Sequence, residues 1–153
     1  MRYASQTTVS SDRSRAEIEA LLQRYGADQF CYGWTNGSAV IGFRMCSRCV
    51  RFTLPMPDKT DERFTRTPGG RRTRSGSDAL RAWEQEGRQR WRALKIVILA
   101  KLEAVEAGIS TFEREFLSAI LLPDGQTVGQ WMAPALETVY KTGRILDLPE
   151  LPA

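Results

Sequence analysis

The sequence predicts an α+β fold: an N-terminal helix, a three-stranded antiparallel sheet, a long amphipathic helix and two shorter C-terminal helices. Alternating apolar and polar residues between positions 29 and 54 are typical of strands. Apolar residues at helical spacing extend from 77 to 107. Serine or threonine residues, which favour helix N-termini, precede the predicted helices. We expect one domain over 14–146, after a flexible leader at 1–13 and before a Pro-rich tail at 147–153.

The first helix is predicted over 15–25. Ser14 and Glu17 form a capping box, in which the serine oxygen accepts from an early helix amide and the glutamate reaches back to the cap. Apolar residues follow at spacings of three and four residues. Gly26 then favours a left-handed end to the helix.

Three strands are predicted over 29–35, 38–45 and 49–54. An Asn-Gly pair separates the first two and is the strongest short hairpin signal. A proline follows the third and ends the sheet, because proline donates no hydrogen bond to a neighbouring strand. Side chains alternate between the two faces of a strand. We therefore expect Arg44 and Arg51 to share an exposed face of the sheet.

Residues 58–76 form a predicted polar loop that is rich in arginine. The stretch from 63 to 74 contains no acidic residue and has five arginines: Arg63, Arg66, Arg71, Arg72 and Arg74. A Thr-Pro-Gly-Gly sequence at 67–70 predicts flexibility. One interpretation is a solvated loop with no partner. The other is a loop that binds an anionic partner, because positive charges held close together repel one another.

The long helix is predicted over 77–107, with Ser77 or Asp78 as its cap. One face is apolar and contains Leu80, Trp83, Gly87, Trp91, Leu94, Ile98, Leu102 and Val105. The opposite face is basic and contains Arg81, Arg88, Arg92 and Lys95. We expect Glu84 to pair with Arg81 and Arg88. The two tryptophans of this helix are expected to lie in the core rather than to stack on nucleic-acid bases.

Two shorter helices are predicted after the glycine at 108, which ends the long helix. A capping box at 110–113 starts the first, whose core-facing residues are Phe116, Leu117, Ile120 and Leu121. A capping box at 127–130 starts the second. Pro134 is expected to kink this helix or delay its start, and Gly143 to end it.

The charge of the 153-residue chain is unevenly distributed. Its 22 Lys and Arg and 18 Asp and Glu give a net charge of +4, but residues 1–95 carry +8 and residues 96–153 carry −4. Of the basic residues, 18 are arginine. Arginine suits bidentate contact with phosphate, although a GC-rich genome gives the same bias. The sequence has no histidine, which excludes histidine acid–base catalysis and imidazole metal sites.

The cysteines are Cys31, Cys46 and Cys49. The last two form a C-x-x-C pattern between two predicted strands, which we interpret as a turn with incidental thiols. Shared metal or redox use is the alternative interpretation. A structural zinc ion needs four ligands, and this chain offers three thiolates and no imidazole. We therefore expect neither a bound metal nor a cofactor.

Catalytic signatures are lacking in the sequence. It contains no P-loop, dinucleotide-binding or nucleophile-elbow pattern, and its paired carboxylates single out no metal site. We therefore expect a protein that is not an enzyme. No apolar stretch is long enough for a membrane helix, and residues 1–15 lack the apolar segment of a secretory signal. A cytoplasmic location without membrane contact follows as an expectation.

Three segments have a distinctive sequence: Tyr-Gly-Ala at 25–27, Arg-Phe-Thr-Leu-Pro at 51–55 and Leu-Glu-Ala-Val-Glu-Ala-Gly at 102–108. In these segments the chain resembles a family of uncharacterised proteins encoded by bacteriophages and prophages. The resemblance covers most of the chain after residue 12 and includes no catalytic signature. The resemblance implies a phage or prophage origin and action in the host cytoplasm. This family has no settled activity, so it assigns no functional residue here.

The main functional hypothesis is a nucleic-acid-binding phage protein, either a single-stranded DNA-binding protein or a recombination or replication accessory factor. Exposed arginines, a basic loop and aromatic residues are the combination that single-strand binders use. The candidate nucleic-acid-binding residues are Arg44, Arg51, Arg63, Arg66, Arg71, Arg72, Arg74, Arg81 and Arg88. The choice among single-stranded DNA, duplex DNA and RNA stays open, as does homo-oligomerisation.

The alternative hypothesis is a phage inhibitor that binds a host defence or replication enzyme. Its basic patch would dock on an acidic surface of the host protein. The apolar and acidic segment at 146–151 would supply a second contact.

Overall fold

The computed structural model describes residues 4–35 and 37–145. Along the chain, the elements are α1 (Ser11–Arg24), β1 (Gln29–Thr35), β2 (Ser38–Met45), β3 (Arg48–Pro55), α2 (Glu62–Thr65), α3 (Gly76–Glu106), α4 (Phe112–Phe116), a 3₁₀ turn (Leu117–Ala119) and α5 (Val128–Thr142). The predicted α+β fold with a long helix is confirmed. The asparagine of the first predicted turn, at 36, and the predicted tail at 147–153 lie outside the described residues.

The sheet is antiparallel with strand order β1-β2-β3. Its register places Ile41 of the central strand between Tyr32 and Phe52, so these three side chains share one face. The β2–β3 turn contains Cys46 and Ser47, whose φ angles are 51° and 59°. Two consecutive residues with positive φ are typical of the tight hairpin turns that match the twist of the strands. The C-x-x-C pattern therefore spans a turn, as predicted.

One face of the sheet is covered by α3 and α1, and the hydrophobic core lies between these layers. Ile18 and Leu22 of α1, Ile41 of β2, and Ile98 and Leu102 of α3 are almost completely buried. Each such side chain contributes roughly 1.5–3 kcal/mol through removal from water. The opposite face of the sheet remains largely exposed.

The starts of α1 and α3 differ from those predicted because other nearby serines cap these two helices. Helix α1 begins at Ser11, since the side chain of Ser10 accepts a hydrogen bond from the amide of Arg13. The predicted cap, Ser14, is buried within the helix, and its hydroxyl has no hydrogen-bond partner among the residues that the structure describes. Helix α3 likewise begins one residue before the predicted start, after the cap residue Ser75.

Residues 4–10, within the predicted leader, contact α3. The side-chain amide of Gln85 donates to the carbonyl oxygen of Thr7 over 3.0 Å, and that of Gln89 donates to the carbonyl oxygen of Ser5 over 2.7 Å. Ala4 is buried. These contacts hold the segment against the long helix.

The C-terminal segment includes an additional pairing with the sheet. Helix α4 ends at Phe116, and the following chain extends so that Ile120 forms an isolated bridge with Val50 of β3. This early end of the helix leaves Leu117 exposed, contrary to prediction. The capping box of α5 is confirmed, and α5 continues through Pro134 to the predicted glycine terminator.

Candidate functional site

The arginine loop, residues 66–74, connects α2 to α3. Because α2 packs on α3, the start of the loop is held against the helix that follows it. Arg66 and Thr73 pair as an antiparallel bridge. The amide of Arg74 donates to the carbonyl oxygen of Thr65 over 2.7 Å. The loop is therefore closed by backbone hydrogen bonds, where the sequence predicted a flexible linker.

The tip of the arginine loop is a glycine turn. Gly69 and Gly70 have φ angles of 92° and 69°, which glycine adopts without steric cost. The amide of Gly70 donates to the carbonyl oxygen of Thr67 over 2.8 Å. The amide of Thr67 donates to the carbonyl oxygen of Arg72 over 2.9 Å. A loop ordered in this way loses less conformational entropy when it binds a ligand.

Three side chains of the loop, those of Arg71, Arg72 and Arg74, have no ionic or hydrogen-bonding partner within residues 4–35 and 37–145. Arg71 and Arg72 are exposed, and Arg74 is half-buried. Like charges held this close repel one another, and an anionic ligand would relieve that repulsion. The same loop supplies no carboxylate of its own.

Arg63 and Arg66, predicted for the same site, already have acidic neighbours. Nη2 of Arg63 lies 2.9 Å from Oδ2 of Asp61. Nε of Arg66 lies 3.8 Å from Oε1 of Glu62. Chiefly because the amide of Arg63 donates to its carboxylate, the pKa of Asp61 is below its ordinary value. Both guanidinium charges are therefore partly compensated before any ligand arrives.

On the sheet, Arg44 and Arg51 share the face that points away from α3. Arg44 is engaged by Asp28, with Nε 2.8 Å from Oδ1 and Nη2 2.8 Å from Oδ2. These hydrogen bonds lower the pKa of Asp28 and hold it ionised. Arg51 donates to the side chain of Gln130 over 3.1 Å. The two residues therefore lie on the opposite side of the sheet from the helix that follows the arginine loop.

On α3, Arg81 and Arg88 have local partners that differ from the predicted Glu84. Nη2 of Arg81 lies 3.5 Å from Oδ1 of Asp78. The guanidinium of Arg88 donates to Oε1 of Gln85 over 3.0 Å and 2.6 Å. Both partners lie three residues earlier, where one helix turn brings side chains together. Arg81 lies about one and a half helical turns after the start of α3.

The remaining basic residues of the predicted helix face are covered by α1. Glu17 accepts from both Arg92 and Lys95, each over 2.7 Å. The pKa of Glu17 is lowered to about 2, first by the hydrogen bond from Lys95 and then by that from Arg92. This cluster of charges joins two helices and leaves no open basic stripe at that position.

Sequence reasoning missed an aromatic groove, which is lined by Tyr32, Trp34, Trp83 and Trp91 together with residues 56–59. Alternation along β1 places Tyr32 and Trp34 on the core-facing side of the sheet. The core does not extend over the end of the strand, so Trp34 is 75% exposed. An aromatic pair at the end of the first strand, followed by a tight turn, was the signal in the sequence.

Other kinds of site have little support among the described residues. Within 4–35 and 37–145, no group of three or more Cys, Asp or Glu residues is arranged to hold a metal ion. The three cysteines are exposed and form no disulfide. In the same ranges, every helix is too short or too polar to cross a membrane. Comparisons with protein-family models, curated proteins and solved structures find no match for this chain.

Proposed function

We propose that this protein binds nucleic acid through the arginine loop, with single-stranded DNA as the favoured ligand. A role as a recombination or replication accessory factor follows from that ligand. The observation that supports the proposal is the set of three unpartnered guanidinium groups, Arg71, Arg72 and Arg74, on one ordered loop. A phage or prophage origin and action in the host cytoplasm belong to the same proposal and are supported by the family resemblance.

The chemistry of the loop suits a phosphate backbone. A guanidinium group presents a flat fork of donors that matches two phosphate oxygens, and it stays charged at all physiological pH values. Neutralising phosphates also releases bound counterions, which supplies most of the sequence-independent affinity. Arg71 and Arg72 can make these contacts without first breaking an ion pair, unlike Arg44, whose carboxylate partner is Asp28.

The test is a fluorescence-polarisation titration of labelled single-stranded DNA at low salt, with duplex DNA and RNA as competitors. The variant Arg71→Ala/Arg72→Ala/Arg74→Ala should bind at least about tenfold more weakly, since each phosphate contact adds favourable counterion release. Single-stranded DNA should compete better than duplex DNA. Thermal unfolding should be nearly unchanged, because Arg71 and Arg72 are exposed and none of the three side chains has an ionic or hydrogen-bonding partner among residues 4–35 and 37–145.

The matched control is Arg24→Ala/Arg114→Ala/Arg144→Ala. These three arginines are exposed and make no ion pair within the described ranges, but they lie far apart in the sequence: Arg24 ends α1, Arg114 lies on α4 and Arg144 follows α5. The control removes the same total charge and should reduce affinity by less than about twofold to threefold. Equal losses in the two variants would contradict a dedicated loop site. If the unaltered protein binds no nucleic acid at low salt, the proposal fails and a protein partner with an acidic surface replaces it.

A further inference from the structure

The aromatic groove lies between the end of the β1–β2 hairpin and the first half of α3, and its volume is about 660 Å³. Volumes of this size are typical of sites for small organic groups. One wall is formed by Tyr32 and Trp34 of β1, and the other by Trp83 and Trp91 of α3. Met56 contributes to the lining, and its terminal methyl group lies beside Gly87 of α3.

The α3 wall of the groove is held in position. The indole nitrogen of Trp83 donates to the carbonyl oxygen of Pro57 over 2.7 Å. The ammonium of Lys59 lies 4.3 Å from the centre of the Trp83 ring. Trp91 is 4% exposed and lies 5.8 Å from Tyr32, measured between ring centres. A rigid wall of this kind imposes little entropic cost on a ligand that enters the groove.

The β1 wall contains one aromatic ring without a stacking partner. The ring of Tyr32 is covered by the guanidinium of Arg15, whose Cζ lies 4.3 Å from the ring centre. Trp34 has no ring or cationic group against it among the described residues and is 75% exposed. A large exposed aromatic ring at the edge of a concave site offers a surface on which a planar ligand can stack.

The first two turns of α3 join the arginine loop to the groove. Helix α3 begins directly after the loop, and Trp83 comes about two helical turns later, roughly 10 Å along the axis at 1.5 Å per residue. A single-stranded nucleic acid typically occupies about 4–16 nucleotides on its binding protein. One strand can therefore contact the loop and the groove together. Lys59 at the groove provides a further positive charge for the backbone, beside the acidic Asp58.

The geometry points to the aromatic groove as a base-binding subsite, in which an unpaired base stacks on Trp34 while the adjacent backbone contacts the arginine loop. This inference rests on the proposed nucleic-acid binding. It adds a reason for preferring a single strand, because a base within a duplex is already stacked on both faces and paired. Stacking is tolerant of sequence, since every base has a π-face.

The experiment compares two labelled oligonucleotides of equal length, oligothymidylate and an abasic strand that has the same backbone without bases. The unaltered protein should bind oligothymidylate at least about fivefold more tightly, the lower end of what one stacked base contributes. Trp34→Ala should lower the affinity for oligothymidylate to that for the abasic strand and leave the abasic affinity unchanged. Trp34→Phe should retain most of the preference, because phenylalanine also stacks.

The outcomes separate this inference from the proposed function. Tyr140→Ala removes an aromatic ring that is 87% exposed on α5, outside the groove, and should change neither affinity. If the protein binds both strands equally, or Trp34→Ala keeps the preference for bases, the subsite is wrong while backbone binding stands. If neither strand binds, the proposed function has failed, and the subsite with it. The Arg71→Ala/Arg72→Ala/Arg74→Ala variant should bind both oligonucleotides more weakly, by the same factor.

Discussion

The middle of α3 on one side, and the arginine loop with Trp34 on the other, use the same residue types in opposite ways. At the middle of α3, Trp91 is buried, and Arg92 forms an ion pair with Glu17 of α1. In the arginine loop, Arg71 and Arg72 are exposed, and their side chains have no ionic or hydrogen-bonding partner among residues 4–35 and 37–145. The difference teaches that a count of arginines or tryptophans does not locate a site. The partner that the fold brings to each side chain decides whether it stabilises the structure or stays free for a ligand.

The largest expected difference between these regions is in how much the loss of a tryptophan side chain, Trp91 or Trp34, reduces the free energy of unfolding. Trp91→Ala should reduce the free energy of unfolding by about 3–5 kcal/mol, because a large side chain in the core leaves a cavity. Trp34→Ala should reduce it by less than about 1 kcal/mol, since most of that side chain is already in water. Urea denaturation of both variants measures the contrast. A loss above about 2 kcal/mol for Trp34→Ala would assign that residue a structural role instead.

A smaller effect on the free energy of unfolding is expected for the ion pairs that Glu17 of α1 forms with Arg92 and Lys95 of α3. Glu17→Gln should reduce the free energy of unfolding by about 1–2 kcal/mol at pH 7, because Arg92 and Lys95 lose a charged partner at a partly screened site. Glu19→Gln on the same helix is the control, since Glu19 is exposed and makes no ion pair in the described structure. Equal effects of the two substitutions would show that the cluster contributes nothing specific.

The stabilisation that the ionised Glu17 side chain contributes should decrease as the pH falls. Folding lowers the pKa of Glu17 from 4.5 to about 2, so the folded state favours the ionised carboxylate. The resulting stabilisation is fully present above the unfolded-state value and is lost as the pH falls toward about 2. The difference between the unaltered protein and Glu17→Gln should therefore be constant above about pH 5.5 and shrink below 4.5. A difference that grows on acidification would contradict the assignment.

Much of the fold could be predicted because local patterns determine it. All three strands were predicted within one residue of their observed ends, and α3 within one residue at each end. The start of α1 was wrong because Ser10 and Ser14 are both acceptable caps in the sequence, and only packing, which buries Ser14, distinguishes them. Propensity and periodicity contain no information on such a choice.

The candidate site was less predictable because it depends on contacts between distant parts of the chain. The pairing of Arg44 with Asp28 requires the turn between α1 and β1 to meet the second strand. The pairing of Lys95 with Glu17 requires two helices to pack. Sequence reasoning treated the arginines alike, whereas the structure leaves Arg71 and Arg72 exposed, with no ionic or hydrogen-bonding side-chain partner in the part of the chain that it describes.

The most direct test of this account is the salt dependence of single-stranded DNA binding. The slope of log K against log salt changes by about 0.7 for each phosphate contact on a single strand. The Arg71→Ala/Arg72→Ala/Arg74→Ala variant should therefore have a slope shallower by about 2 than the unaltered protein, while Arg44→Ala, which removes an arginine already paired with Asp28, should keep its slope. An unchanged slope in the loop variant, or an equal reduction per arginine in Arg44→Ala, would contradict the claim that unpartnered arginines form the site.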